Sequence, residues 1–146
     1  MKALLFGLAT LAASQAYAAE TRSLTADELK SKVADVTWAQ NKVMMSGSTA
    51  ADVDALFSLY APDFVYVHEV YGGTYTRDQL YKNTLRVLER GRYDLTAPRY
   101  TITSVIPGHN GIAVEREEIS KGQAKRHLAV FEFREDKVSK IIEYWK

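Results

Sequence analysis

The spacing of apolar residues predicts two helices in the first half of the chain. Thr25-Ala-Asp-Glu28 has the pattern of a capping box, in which a threonine hydroxyl and a glutamate carboxylate satisfy free amides at a helix start. Apolar positions then recur at helical spacing through about residue 45. After a break at residues 46–49, a shorter helix places Val53, Leu56, Phe57 and Tyr60 on one face and is expected to end before Pro62.

A strand and a third helix are predicted next. Residues 64–70 are rich in β-branched and aromatic side chains, which favours a strand. Residues 71–75 form a turn that can hold a very short strand. Thr76-Arg-Asp-Gln79 is a second capping box, and Gly91 is a suitable residue to end the helix that it opens.

The remainder of the chain alternates between apolar and polar positions and predicts four strands, separated by connections of hairpin length. The predicted strands are Arg99–Ile106, Ile112–Ile119, Lys125–Arg134 and Val138–Trp145. Helices followed by an antiparallel meander indicate an α+β domain.

The N-terminus has the features of a secretory signal peptide. Lys2 precedes an apolar run from Ala3 to Ala13, and Ala16-Tyr-Ala18 is an A-x-A cleavage site. The run is too short to span a bilayer, which needs about 20 apolar residues. We therefore expect residues 1–18 to be removed after Ala18, residues 19–146 to form a single domain, and the protein to be secreted or periplasmic.

Composition excludes several classes of function. Of 19 Lys and Arg residues, Lys2 lies in the predicted leader, which leaves 18 basic against 18 acidic residues. Such a balance gives no electrostatic footprint for nucleic acid or for a membrane surface. There is no cysteine, and the three histidines lack metal-ligand spacing, so the sequence predicts no metal and no cofactor. The 9 Tyr, 5 Phe and 2 Trp residues are enough to line a pocket.

Two segments carry a resemblance to a known family. The helix-to-strand segment Tyr60-Ala-Pro-Asp63 and the ending from Phe131 to Trp145, together with the order of the elements, resemble the nuclear transport factor 2-like superfamily, in its SnoaL-like or ketosteroid isomerase-like branch. The resemblance implies a curved antiparallel sheet wrapped around three helices as a cone with an internal pocket. Such cones isomerise steroids, dehydrate polyketides or only bind, so the fold implies a ligand without naming a reaction.

The resemblance places one histidine at a catalytic position. In the steroid isomerase branch the base lies on the first strand, and counting from Ala61-Pro-Asp63 puts His68 there, where the isomerase has a carboxylate. Histidine can act as a general base near neutral pH. Alternatively, His68 is a structural residue bonded to a polar neighbour. The isomerase's oxyanion donor corresponds to Ala129, which cannot donate a hydrogen bond.

Strand parity gives the remaining candidates for the pocket, because alternate side chains share a face. Tyr66, His127, Phe131, Glu143 and Trp145 are expected to point inward. Glu143 facing His68 or His127 would form an acid–base dyad, or else these groups form a polar cluster that only fills the cone.

The helices contribute Trp38, Tyr60 and Tyr81, which either close the pocket or belong to the core. Tyr81 flanks the apolar stripe of its helix, so its hydroxyl is expected to be free. The charged run at residues 115–118 has no defined facing, because the turn at residues 120–122 can be aligned in two ways; we expect a solvated or ion-paired strand.

Two functions are compatible with this pattern. The first is a binding protein whose cone holds a small apolar or aromatic molecule without turnover, and the second is a cofactor-free lyase or isomerase with His68 as the general acid and base. The outward positions of the predicted strands are also apolar, which favours a homodimer through the outer sheet face. These positions are Val65, Val67, Leu128, Val130, Ile142 and Tyr144.

Overall fold

The computed structural model describes residues 22–120 and 122–146, which contain three α-helices and six strands. The predicted signal peptide, residues 1–18, lies outside the described residues, so export and cleavage after Ala18 stay predictions. Within the described ranges, no helix has the length and apolarity that crossing a membrane requires.

Two helices begin at the capping boxes that the sequence indicates. Helix α1 (Ala26–Met44) starts after Thr25, whose backbone N–H donates to Glu28 Oε2 at 2.8 Å, while Glu28 N–H donates to the Thr25 hydroxyl at 3.3 Å. Helix α3 (Arg77–Glu89) starts after Thr76, whose N–H donates to Gln79 Oε1 at 2.9 Å. Both predicted starts are confirmed because capping depends on contacts within four residues.

The transition from the second helix to the first strand differs from the prediction. Helix α2 (Ala50–Ser58) ends earlier, and Tyr60 already belongs to strand β1 (Tyr60–His68). Tyr60 pairs with Val138, and Pro62 lies at an irregularity between Tyr60 and Val65 where the pairing is interrupted. A proline is tolerated there because no ladder bond needs its missing N–H.

The remaining strands are β2 (Gly73–Thr76), β3 (Tyr100–Pro107), β4 (Gly111–Ser120), β5 (Gln123–Arg134) and β6 (Lys137–Tyr144). They form one six-stranded sheet in the order β2-β1-β6-β5-β4-β3. Strands β3 to β6 make the predicted antiparallel meander, whereas β1 pairs with β6 in parallel, so the sheet is mixed. Residues 69–136 separate β1 from β6, so no hairpin turn requires the two strands to be antiparallel. The sheet is curved and does not close.

The concave face of the sheet and the helices enclose the core, as predicted for an α+β cone. Strand positions alternate between buried and exposed, and α1 covers the sheet with an apolar stripe. The core cluster includes Leu29, Val33, Val36, Val53, Phe57, Phe64, Val114, Ala129, Phe131, Val138 and Ile141.

Helix α3 is packed more loosely than α1. It follows β2 without a connecting residue and contacts α2 and β1. No residue of α3, all of which the structure describes, is fully buried, and Leu80, Leu85 and Leu88 are only half-buried against the core. This loose packing leaves open space between α3 and the β1–β2 end of the sheet.

Candidate functional site

His68 ends β1 on the concave side of the sheet and is 7% exposed. Its imidazole lies between two aromatic rings, with centroid distances of 4.5 Å to Tyr71 and 4.6 Å to Trp145. Neither ring nitrogen has a hydrogen-bond partner among the described residues. A buried polar atom without a partner costs about 1–3 kcal/mol. The polar neighbour that a purely structural histidine would need is therefore not supplied by this part of the chain.

A cleft of about 860 Å³ lies in front of His68. One wall is aromatic and comes from β1, β2, the turn between them and Trp145, which follows β6. The other wall is a polar face of α3. The lining residues are Tyr66, His68, Tyr71, Tyr75 and Trp145 on the first wall, and Gln79, Leu80, Lys82, Asn83 and Arg86 on the second.

A second cavity of about 350 Å³ lies deeper, between the helices and the sheet. Tyr66, Leu80, Asn83 and Trp145 line both spaces, so the cavity adjoins the cleft. Its inner surface also includes Glu143 and several core aromatic residues. The cleft and the cavity correspond to the internal pocket that the resemblance implies.

Glu143 lies on the concave face of β6 and is held by three donors. Tyr66 donates its hydroxyl to Glu143 Oε2 at 2.7 Å, the Trp145 indole N–H donates to the same oxygen, and Arg116 forms an ion pair with Oε1. Three charge-assisted or polar hydrogen bonds satisfy most of the capacity of one buried carboxylate.

The predicted dyad of Glu143 and a histidine is not formed directly. His68 and Glu143 are opposite one another in the β1–β6 register, yet His68 has no hydrogen bond, and Glu143 bonds to Arg116, Tyr66 and Trp145 instead. The physical reason is that a charge-assisted bond to a guanidinium is among the strongest hydrogen bonds that a buried carboxylate can accept. The geometry agrees with the alternative of a polar cluster.

Arg116 is the functional-site residue that the sequence pattern did not single out. It is 0% exposed and points inward from β4. Of the two expected alternatives for residues 115–118, the strand is ion-paired rather than solvated, because Arg116 and Glu118 are buried and each has a charged partner. The Arg116 guanidinium also donates to Gln40 Oε1 at 2.9 Å and stacks over Tyr100 at 4.2 Å from the ring centroid. Ala129 on β5 pairs with Val114 of β4 and with Glu143 of β6.

A second ionic group lies beside the first. His127 Nε2 is 3.1 Å from Glu118 Oε2, and Arg99 Nε is 2.7 Å from Glu118 Oε1. The His127 ring packs behind Trp145 at a centroid distance of 4.8 Å, so His127 does not line the cleft. Within residues 22–120 and 122–146, no group of three or more His, Cys, Asp or Glu side chains is arranged to hold a metal ion.

The surroundings of Glu143, Tyr66 and His127 shift the pKa of each side chain. Burial raises the pKa of Glu143, but the Arg116 charge and the hydrogen bonds from Trp145, Tyr66 and Arg116 outweigh it, so the pKa lies below its usual value. Burial and the Glu143 carboxylate raise the pKa of Tyr66, which stays a hydrogen-bond donor. Burial lowers the pKa of His127, aided by Arg116 and opposed by Glu118. Glu143 is therefore an ionised acceptor and a weak base.

Besides His127, the structure places three further predicted pocket residues away from the cleft. Trp38 is 65% exposed on the outer side of α1. Phe131 is fully buried in the core beneath Arg116. Tyr81 packs edge-on against Phe57 and donates its hydroxyl to Asp54 at 2.6 Å, so the expectation of a free hydroxyl is wrong. Asp54 lies on a different helix, which explains why the pattern of α3 alone did not reveal this bond.

No protein-family model and no curated protein sequence matches this chain. Solved structures do match. A nuclear transport factor 2-like protein of unknown function from Burkholderia xenovorans LB400 is 18% identical with a TM-score of 0.58, covering 81% of this chain and 82% of that one. A putative ketosteroid isomerase from Kribbella flavida DSM 17836 is 13% identical with a TM-score of 0.60, covering 82% and 78%.

A third match is a hypothetical protein with a ketosteroid isomerase-like fold from Catenulispora acidiphila DSM 44928, in complex with trimethylamine. It is 20% identical with a TM-score of 0.51, covering 76% of this chain and 85% of that one. The chain therefore has the nuclear transport factor 2-like fold, and the predicted fold is confirmed. Identities this low speak for the fold alone, so membership of the SnoaL-like branch stays a prediction.

Proposed function

We propose that this protein, a nuclear transport factor 2-like fold, is an exported small-molecule-binding domain that holds a ligand with a flat, largely apolar body without turnover. The observation that carries the proposal is His68, nine-tenths buried at the wall of a cleft of about 860 Å³, with both ring nitrogens lacking a partner among the described residues. Volumes of about 300–1,000 Å³ are typical of sites for small organic ligands.

Two further observations support binding in this cleft. The aromatic wall offers the flat faces of its rings, and the polar atoms of Tyr66 and Trp145 are already bonded to Glu143, which suits a planar ligand. Leu80 of α3, which is half-buried and lines both the cleft and the cavity, would gain apolar contacts if a ligand filled that space. The trimethylamine complex of the Catenulispora protein also favours the idea that this fold can hold a small molecule.

The alternative function is a cofactor-free lyase or isomerase in which His68 moves a proton. A working base is usually oriented by a third group, and a developing oxyanion needs donors. His68 has no orienting partner among the described residues, Glu143 is engaged by three donors, and Ala129 occupies the donor position of the resembled isomerases. These features favour binding over turnover.

The test is ligand retention by wild-type protein and by His68→Ala. Protein purified from its own host is examined by native mass spectrometry for a retained small molecule. We expect His68→Ala to lose that molecule while losing less than about 1 kcal/mol of unfolding free energy, because removing a buried polar group without a partner relieves its desolvation cost. His109→Ala, at an exposed turn, is the matched control.

A loss of several kcal/mol in unfolding free energy by His68→Ala, with the small molecule still retained, would contradict the proposal and favour a structural role for His68.

The same mass measurement tests export, since a mature chain begins at Ala19, or at Glu20 if cleavage slips by one residue. A full-length species in the cytoplasm of its own host would contradict export.

A further inference from the structure

The two walls of the cleft differ in charge as well as in shape. Gln79, Lys82, Asn83 and Arg86 lie at positions i, i+3, i+4 and i+7 of α3, so that they share one helix face, and all four line the cleft. No Asp or Glu is among the lining residues that the structure describes. The cleft thus has two cationic side chains on one wall and no carboxylate on either wall.

Neither cation is paired with a buried carboxylate. Lys82 Nζ is 2.8 Å from Asp78 Oδ2, but both side chains are largely exposed, and such a pair contributes little. Arg86 donates to Asn83 Oδ1, which leaves most of its five N–H donors free for an anion. By contrast, the deeper charges on Arg116 and Arg99 are balanced by Glu143 and Glu118. The excess positive charge therefore lies at the α3 wall and not in the interior.

We propose that the ligand of this cleft is a planar aromatic or polycyclic molecule with an anionic group such as a carboxylate or sulfonate, its rings against the aromatic wall and its anion at Lys82 and Arg86. The inference rests on the proposed binding function and adds the charge of the ligand. The aromatic faces alone would also attract a cation. Lys82 and Arg86 repel a cation and attract an anion, so they favour an anionic ligand over a cationic one.

The test uses two fluorescent dyes that have the same aromatic skeleton and differ in charge. 8-Anilino-1-naphthalenesulfonate is anionic, and N-phenyl-1-naphthylamine is the same skeleton without the sulfonate. Titration of wild-type protein, followed by dye fluorescence, gives both dissociation constants. We expect Arg86→Gln to weaken the anionic dye about fivefold, and Lys82→Gln with Arg86→Gln about tenfold or more, since each exposed ion pair contributes up to about 1 kcal/mol. The neutral dye is expected to change less than about twofold.

Three controls separate charge from structure. Arg90→Gln removes the same charge from the end of the same helix, at a residue that does not line the cleft, and is expected to leave both constants unchanged. Arg86→Lys keeps the charge and should retain most of the anion preference. Raising the salt concentration from about 20 to 500 mM should weaken the anionic dye and leave the neutral dye unaffected, because the Debye length shortens several-fold.

The possible outcomes are distinct. Weaker binding of the anionic dye alone to Arg86→Gln supports the inference. If Arg86→Gln binds both dyes equally more weakly, or binds both as tightly as wild-type protein does, the inference is overturned while ligand binding in the cleft stands. If neither dye binds wild-type protein, the proposed function fails together with the inference. Circular dichroism of each variant checks that the helix content is retained.

Discussion

At the residue scale, the interior of this protein is organised around one buried guanidinium. Arg116 connects β4 to Glu143 on β6 and to Gln40 on α1, and it stacks over Tyr100. The same carboxylate orients Tyr66 and Trp145, which form part of the cleft wall. The ion pair therefore shapes the binding surface without touching the open space in front of His68.

Arg116→Met tests this organising role. It leaves Glu143 buried and without its counter-ion, and we expect a loss of about 3–5 kcal/mol in the free energy of unfolding, measured by urea denaturation. Arg126→Met is the control, because Arg126 is exposed and lies 3.6 Å from Glu115, and it should cost about 0.5 kcal/mol or less. Replacing Arg116 and Glu143 together with methionine should cost less than the two single losses added. Additive losses would show that the pair is not coupled.

At the scale of elements, α1 and α3 differ in how they are held. Helix α1 has seven fully buried residues, whereas α3 has none and forms one wall of the cleft. Helices with few buried apolar contacts open at lower free energy than the rest of a domain. A ligand in the cleft would supply the contacts that α3 lacks.

Hydrogen exchange followed by mass spectrometry can measure this difference. We expect amides in Arg77–Glu89 to exchange at least about tenfold faster than those in Ala26–Met44, and a dye bound in the cleft to slow exchange in α3 selectively. The α1 amides serve as the internal control. Uniform protection of both helices, or no effect of the bound dye on α3, would contradict the assignment of α3 as a ligand-dependent wall.

At the scale of the whole molecule, stability should depend on pH through the buried ionic groups. The folded-state pKa of His127 lies below its usual value of 6.5, and that of Glu143 below its usual value of 4.5. For each group the unfolded chain binds more protons between the two pKa values, so stability is complete above the unfolded value and falls as pH falls. The urea midpoint should therefore be constant between about pH 7 and 9 and decline below pH 6.5 and again below pH 4.5.

His127→Gln tests whether His127 causes the loss of stability below pH 6.5. The variant should remove the decline that begins below pH 6.5 and leave the acid step below pH 4.5 in place. His109→Gln, at the exposed turn before β4, should keep both steps. A midpoint that rises as pH falls through 6.5 would show that His127 is stabilised in its charged form, the reverse of the present expectation.

The outer face of the sheet is the second feature at this scale. Val67, Ile142, Val130, Ala113 and Ile106 follow one another in register across five strands, and Ile106 is 73% exposed. The row is about 20 Å long at the usual strand spacing. Leu128 and Tyr144, a neighbouring cross-strand pair, are also exposed. A continuous apolar surface of this extent is typical of an interface.

We propose that a second copy of the chain covers this face. Light scattering coupled to size exclusion should give a dimeric mass at micromolar concentration, and Val130→Glu should give a monomer with the fold intact, because a buried charge at the centre of the row has no partner. Gln123→Glu adds the same charge at the exposed start of β5 and should stay dimeric. A monomeric wild-type protein would contradict the dimer and favour a loop or the short segment at residues 20–24 before α1 as the cover.

The sequence by itself determined the features that depend on near neighbours. The capping boxes at Thr25 and Thr76 predicted two helix starts, since the bonds involved span three residues. Strand alternation correctly placed Tyr66, His68, His127 and Glu143 on the concave face, because parity within a strand is a local property. The order of the elements, with the two quoted segments, was enough for the fold.

Only the tertiary structure decided which inward side chains meet. The facing of Arg116 depends on how the β4–β5 turn is aligned, and its partner Glu143 lies 27 residues further along the chain. Tyr66 and Glu143 are 77 residues apart, and Tyr81 reaches Asp54 on another helix. Tyr60 joins the sheet because Val138 pairs with it. Such contacts follow from the register between strands and the placement of helices on the sheet, and a pattern within one segment holds no information about either.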